Sequence, residues 1–121
     1  MTSPVAGEEF FARDETAVSI YRALAGSLVV LDGVRVVASK SQVAFWARRG
    51  FAYAWAPGRY LKSDVPVVLS FALGERLTSA RFKEVVHPSP ALWMHHVELR
   101  AVEDVDDEVI GWLERAYAGA R

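Results

Sequence analysis

The side chains of this chain best suited to chemistry are its three histidines, which lie close together. His87, His95 and His96 fall within ten residues of one another. Histidine titrates near neutral pH and can serve as a base, an acid or a metal ligand. A serine hydrolase would also need an exposed nucleophile, but no Gly-x-Ser-x-Gly elbow is present. Adjacent strand residues such as His95 and His96 point to opposite faces of a sheet, so the spacing does not favour a catalytic triad.

A second arrangement, His96 with Glu98, has the spacing of two side chains on one strand face. Both could reach one metal ion, although a stable site needs a third ligand. The His-x-Glu spacing superficially resembles half of a zinc deaminase signature. The chain has no cysteine, which removes the other half and also excludes disulfides, thiolate nucleophiles and iron–sulfur clusters. We prefer a cross-strand polar pair and keep the metal site as the alternative.

Cofactor-binding loops are missing from the sequence. The eight glycines are scattered singly, and none forms a Gly-x-Gly-x-x-Gly or Walker pattern. We therefore expect no nucleotide cofactor, and no other cofactor is indicated.

The charges are unevenly distributed along the chain. The formal net charge of 121 residues is −1, which by itself argues against a dedicated duplex-binding protein. Residues 40–83 nevertheless carry a net charge of +6 between two acidic flanks. Arginine suits planar anions because its fork donates two parallel hydrogen bonds. We predict a ligand-binding basic rim, and the alternative is a solvated rim paired with acids; the candidate residues are Trp46, Arg48, Arg49, Arg59, Lys62, Arg81 and Lys83.

The clearest strand alternates rings with alanines. Phe51, Tyr53 and Trp55 should share one face, while Ala52 and Ala54 form a smooth opposite face that another layer can approach closely. We expect the ring face to be core, because large rings contribute most of the burial in a small domain. The alternative is a platform on which the bases of a single strand stack.

The sequence predicts one helix before the strands and one helix after them. Asp14 is a plausible N-cap for an amphipathic helix over residues 15–31, and Asp104 for a C-terminal helix. The runs between them read as five or six short strands. The sequence therefore predicts an α+β fold, with a single antiparallel sheet and both helices packed on one face. Residues 1–9 have the composition of a flexible tail, and 10–121 should form one domain.

Several motifs, in order, resemble a known family. They are Lys40-Ser41-Gln42-Val43-Ala44-Phe45, Phe51–Trp55, Arg81–Val86 and Trp93–Leu99. Over about residues 10–118 they resemble a bacterial domain-of-unknown-function family, number 5655, and a more distant similarity to frataxin-like α+β domains concerns the fold at most. The resemblance implies an accessory or binding role and carries no catalytic or binding residues.

These observations favour a non-enzymatic binding module over an enzyme. Its partner would be a phosphorylated metabolite, an acidic protein surface or single-stranded nucleic acid, accepted by the open sheet face or its basic rim. The alternative is a small metal-handling protein or enzyme centred on His95, His96 and Glu98, and a self-assembling homo-oligomer is a third hypothesis. No export signal or membrane-spanning stretch is recognisable, so we expect a cytoplasmic protein without a membrane partner.

Overall fold

The computed structural model describes residues 5–59 and 61–121. Two α-helices flank a run of six strands, and short 3-10 turns lie at Glu8–Phe11, Pro57–Arg59 and Val102–Asp104. The helices and strands in chain order are α1 (Glu15–Leu28), β1 (Arg35–Ala38), β2 (Val43–Trp46), β3 (Gly50–Trp55), β4 (Val67–Leu73), β5 (Phe82–Ser89), β6 (Leu92–Leu99) and α2 (Asp107–Ala120).

The six strands form one antiparallel sheet in the order β1-β2-β3-β4-β6-β5. The first four strands follow one another across the sheet. The β5–β6 hairpin then folds back so that β6 pairs with β4 and β5 forms an edge. With one N-terminal and one C-terminal helix, this is the predicted α+β fold.

Both helices pack against the same face of the sheet. The core consists of their buried stripes and of the inward residues of the strands, such as Leu69 and Phe71 of β4 and Val97 of β6. The opposite face, which we call the uncovered face, has no helix of the described chain upon it. Tyr53, Trp55 and His96 are partly exposed there.

The two helix starts show how local capping sets the ends of elements. Asp14 caps α1 as predicted, since its carboxylate accepts hydrogen bonds from the backbone N–H groups of Thr16 and Ala17. The helix ends at Leu28, three residues before the predicted end. The prediction that Asp104 caps α2 is wrong. Asp106 accepts from the N–H of Val109 and begins the helix, while the Asp104 carboxylate closes the preceding turn.

The expectation that all three rings of β3 lie in the core is also wrong. Ala52 and Ala54 face the helices, and Tyr53 and Trp55 lie on the uncovered face. Phe51 alone turns inward, packing edge-on against Tyr117 of α2. The β2–β3 pairing is irregular at this point, because Trp46 pairs with Gly50 while Phe45 pairs with Ala52. One extra residue in β3 breaks the alternation, as in a β-bulge.

The beginning of the described chain is held against the domain. Two residues of the predicted tail contact α1. The Ala6 carbonyl accepts a hydrogen bond from Tyr21, and the Glu8 carboxylate pairs with Arg22 at 2.5 Å. The predicted flexibility of residues 1–4 lies outside the described residues. In the part of the chain that the structure describes, neither helix is long and apolar enough to cross a membrane.

Candidate functional site

A row of chemically active residues crosses the uncovered face. Cross-strand pairing aligns Tyr53 of β3, Ser70 of β4, His96 of β6 and Glu84 of β5 in consecutive strands. Directly opposed residues on one face of a sheet have their Cβ atoms about 5 Å apart. The tertiary pairing thus places a hydroxyl, an imidazole and a carboxylate next to one another, although they are distant in sequence.

A hydrogen-bonded chain joins three of the side chains on this face. The Trp55 indole Nε1–H donates to the Ser70 hydroxyl oxygen at 3.0 Å, and that oxygen lies 2.6 Å from Nδ1 of His96. The indole can only donate, so the Ser70 proton is free to go to His96. Burial lowers the pKa of His96, which favours the neutral ring with its proton on Nε2. The outer ring nitrogen is then a hydrogen-bond donor.

Two further rings meet above a glycine at one end of the face. Trp46 pairs with Gly50, and a Cβ atom on Gly50 would overlap the Tyr53 hydroxyl and lie 3.3 Å from the Trp46 ring. Glycine is therefore required for this close approach of the rings. Trp46, Tyr53 and Trp55 are each half-buried. The Arg35 guanidinium lies 6.0 Å from the centre of the Trp46 ring.

The other end of the uncovered face carries a ladder of charges. Lys83 contacts Glu98 at 3.1 Å, Arg100 contacts the same carboxylate at 3.6 Å, and Arg100 also reaches Asp64 at 3.3 Å. Lys62 borders the shallow depression beside them. Three cations and two carboxylates leave this end with a small positive excess, and the exposed pairs contribute little to stability.

His95 belongs to a different environment from its neighbour. Its side chain is fully buried on the helix side, stacked on Phe71 with ring centres 5.0 Å apart. The Leu77 N–H donates to its Nε2 at 3.0 Å, so the ring proton is on Nδ1, which has no hydrogen-bond partner in the described structure. Burial lowers the pKa of His95 and keeps this ring neutral. His95 is therefore a core residue and does not share a site with His96.

The candidate metal pair is engaged in other contacts. His96 and Glu98 do lie on the same face, as their spacing predicts, but His96 bonds to Ser70 and Glu98 to Lys83. Within residues 5–59 and 61–121, no three histidine, aspartate or glutamate side chains gather as a metal site would require.

The predicted basic residues are divided among several places. Arg81 is bound by the start of α2, where Asp106 lies 2.9 Å and Glu108 3.0 Å from its guanidinium. Arg59 donates to the carbonyls of Phe10 and Lys40. Its side chain lines a cleft of about 700 Å³, whose walls also carry acids, namely Glu9, Asp14 and Asp64.

Arg48 and Arg49 remain together at the β2–β3 turn. Their backbone N–H groups both donate to the carbonyl of Ala120, and the Arg49 side chain donates to the carbonyl of Gly119 at 2.5 Å. With Arg121 they line a depression of about 350 Å³ without any acidic residue. This corner lies at the opposite end of β3 from Arg59.

Sequence reasoning missed Ser70 and Glu84, and it placed Trp55 on the wrong face. Ser70 interrupts an otherwise apolar strand, Val67–Leu73, and this is the signal that could have identified it. A polar residue in a buried strand costs free energy unless it is hydrogen-bonded. Its partners on β3 and β6 could not be read from the sequence, because they depend on strand order and register.

We compared the whole chain with known proteins, solved structures and protein families. No curated protein and no solved structure gave a match to this chain. One protein family, described as Domain of unknown function (DUF5655), matches residues 6–119, which is nearly the whole chain. The chain therefore belongs to the DUF5655 family.

Proposed function

We propose that this chain is a non-enzymatic binding module of the bacterial cytoplasm whose uncovered sheet face accepts single-stranded nucleic acid. The observation that carries the proposal is the position of three rings, Trp46, Tyr53 and Trp55, on a sheet face without a covering helix. A ring that serves only the core would be expected on the opposite face. Base stacking on such rings is tolerant of sequence, because every base has a π-face.

The size of the ring surface suits a short stretch of single strand. β3 has six residues and a length of about 17 Å; it carries Tyr53 and Trp55, and Trp46 of β2 lies beside its first residue, Gly50. Sheet surfaces of this kind stack two or three bases. We expect one base for each accessible ring, with the strand lying along β3.

Cations flank both ends of the rings and supply contacts for phosphates. Arg35 lies beside Trp46 at one end, while Lys62 and Arg100 lie beyond Trp55 at the other. Such contacts release counterions from the nucleic acid and make binding dependent on salt. Three phosphate contacts predict a slope of log K against log salt of about −2 for a single strand.

The acids on this face limit the path of the ligand. Glu84 is exposed on the β5 edge and would repel a phosphate placed across His96. The backbone of the bound strand is therefore expected on the β2–β4 side of the face. The outward Nε2–H of His96 is then available to hydrogen-bond the edge of a stacked base.

A direct test is titration of the protein with a fluorescein-labelled, mixed-sequence 20-nucleotide DNA strand, followed by anisotropy at 50–200 mM salt. Tyr53→Ala should weaken binding by about 5-fold to more than 100-fold, the loss typical of one stacking ring. Trp93→Leu removes a ring of β6 that pairs with the helix-side residue Leu73, and it serves as the matched control with little expected effect. The same titration with an RNA strand and with a DNA duplex completes the comparison.

The proposal requires preference for a single strand over the duplex, and a decrease in affinity as salt rises. Absence of salt-dependent binding to both single strands would contradict it. Light scattering at the same concentrations tests whether two copies cover the face instead, in which case Tyr53→Ala would alter the mass and not the DNA affinity.

A further inference from the structure

A second surface, at the end of the sheet beside α2, combines an apolar cleft with arginines. The cleft has a volume of about 240 Å³ and lies between the last turns of α2 and the end of the sheet where β3 begins. Its apolar walls include Phe51, Leu73, Leu92 and Ala116, and Arg49 and Arg115 border it. We call this space the arginine cleft.

The arginine cleft and the depression at the β2–β3 turn share a wall. Arg49 contributes to both, and Arg48 and Arg121 complete the wall of the depression. No aspartate or glutamate lines either space among the described residues. This distinguishes the cleft from the larger one beside Arg59, where acids are present in the walls.

Arg48 and Arg49 have a structural role at the end of α2 that leaves side-chain hydrogen-bond donors unused. The C-terminal end of a helix carries about half a negative charge, and basic residues are favourable there. Arg48 and Arg49 satisfy the last carbonyls of α2 chiefly through backbone N–H groups. A guanidinium has five N–H donors, and Arg49 uses one described side-chain bond, to Gly119. Arg115 contacts Glu75, which lies outside the cleft lining. Side-chain donors of Arg49 therefore remain for a further partner.

From this combination we propose that the arginine cleft binds a small amphipathic oxyanion. The carboxylate or phosphate group is held by Arg48 and Arg49 in the depression, and a short aliphatic chain lies in the cleft against Phe51 and Leu92. The proposal is independent of nucleic-acid binding, because the arginine cleft is not lined by Trp46, Tyr53 or Trp55.

The test is NMR titration of the full ¹⁵N-labelled chain with straight-chain carboxylates from acetate to octanoate. Each added methylene should tighten binding by about fourfold until the cleft is full. Resonances of Arg49, Leu92 and Gly119 should shift, and those of Tyr53 and Trp55 should not. Hexyl phosphate distinguishes the two kinds of head group, and hexanol carries the same chain without charge.

Two variants separate the charge from the cleft. Arg48→Gln should weaken hexanoate binding at least fivefold, while Arg35→Gln, on the uncovered face, leaves it unchanged. Ala91 is exposed at the β5–β6 turn and lines the cleft, so Ala91→Leu fills the space with little effect on folding. It should abolish the dependence on chain length, and its melting temperature confirms that the domain remains folded.

Equal binding of hexanol and hexanoate would overturn the proposal, as would affinity that does not rise with chain length in the unaltered protein. Retention of hexanoate binding by Tyr53→Ala supports it even if no nucleic acid binds. Failure of the proposed nucleic-acid function and failure of the oxyanion site are therefore distinguishable.

Discussion

Replacement of Ser70 by alanine should measurably destabilise the domain, because this hydroxyl connects three strands. Ser70 is only 4% exposed, and its oxygen accepts from Trp55 and contacts Nδ1 of His96. A neutral hydrogen bond contributes about 1 kcal/mol net, so loss of both costs about 2 kcal/mol. For a domain of this size that corresponds to a decrease in melting temperature of roughly 5–10 °C.

Chemical denaturation measures the free energy of unfolding, and Ser27→Ala is the matched control. The Ser27 hydroxyl also makes a short bond, 2.7 Å to the carbonyl of Leu24, but within a helix where alanine is favoured. Its replacement should change stability by less than about 0.5 kcal/mol. The difference between the two variants isolates the bridging role of Ser70.

The protonation of the two adjacent histidines gives a second readout. Ring ¹⁵N NMR at pH 7.5 should find the proton of His95 on Nδ1 and that of His96 on Nε2, because their hydrogen-bond partners are opposite. Ser70→Ala should move His96 toward a mixture of tautomers and leave His95 unchanged. Unaltered stability together with an unaltered His96 tautomer would refute the hydrogen-bonded chain.

Further predictions concern pH, helix ends and glycines. Burial lowers the pKa of His95 and His96, so the unfolded chain binds protons more readily than the folded chain. The free energy of unfolding should therefore be at its full value above pH 6.5 and decrease as the pH falls below it. Urea midpoints that stay constant from pH 8 to 5 would contradict this. Asp106→Ala removes both the α2 cap and the ion pair with Arg81 and should cost at least about 1 kcal/mol by the same denaturation assay, with the exposed Asp107→Ala as its control. Gly111→Ala, with no atom within 4 Å of the new Cβ apart from its chain neighbours and the backbone of its own helix, should stabilise α2 by about 0.5–1 kcal/mol, and a loss would indicate hidden crowding. Gly50→Ala should displace the Tyr53 ring and weaken single-strand binding without unfolding the domain, as anisotropy and thermal melting would show.

Local signals were sufficient to predict the elements of this fold. The Asp14 cap and the apolar spacing of the first helix depend on residues within one or two turns, so they are readable without tertiary information. The alternation in β3 likewise predicts a strand, although a bulge at Phe51 breaks the period of two. The acidic run before α2 contains several residues that can cap a helix, of which Asp106 and not Asp104 has the correct geometry.

The positions of site residues depended on contacts that no local pattern contains. The spacing of His96 and Glu98 correctly indicated a shared face, yet the partners of His96 come from two other strands. The +6 segment suggested a common basic rim, but Arg81 is engaged by α2 and only Arg48 and Arg49 lie side by side. Net charge along a chain does not specify which surface each residue reaches.

The sequence by itself determined the secondary structure, the fold class and the separation of His95 from His96, because each follows from periodicity within a single element. Only the tertiary structure decided which face of the sheet the helices cover. The irregular pairing of Trp46 with Gly50 turns Phe51 inward, and the small Ala52 and Ala54 allow the helices to approach. Tyr53 and Trp55 are thereby left on the uncovered face. Strand order then joins Trp55 to Ser70 and His96, since hydrogen bonds between distant segments form only once the register of the whole sheet is set.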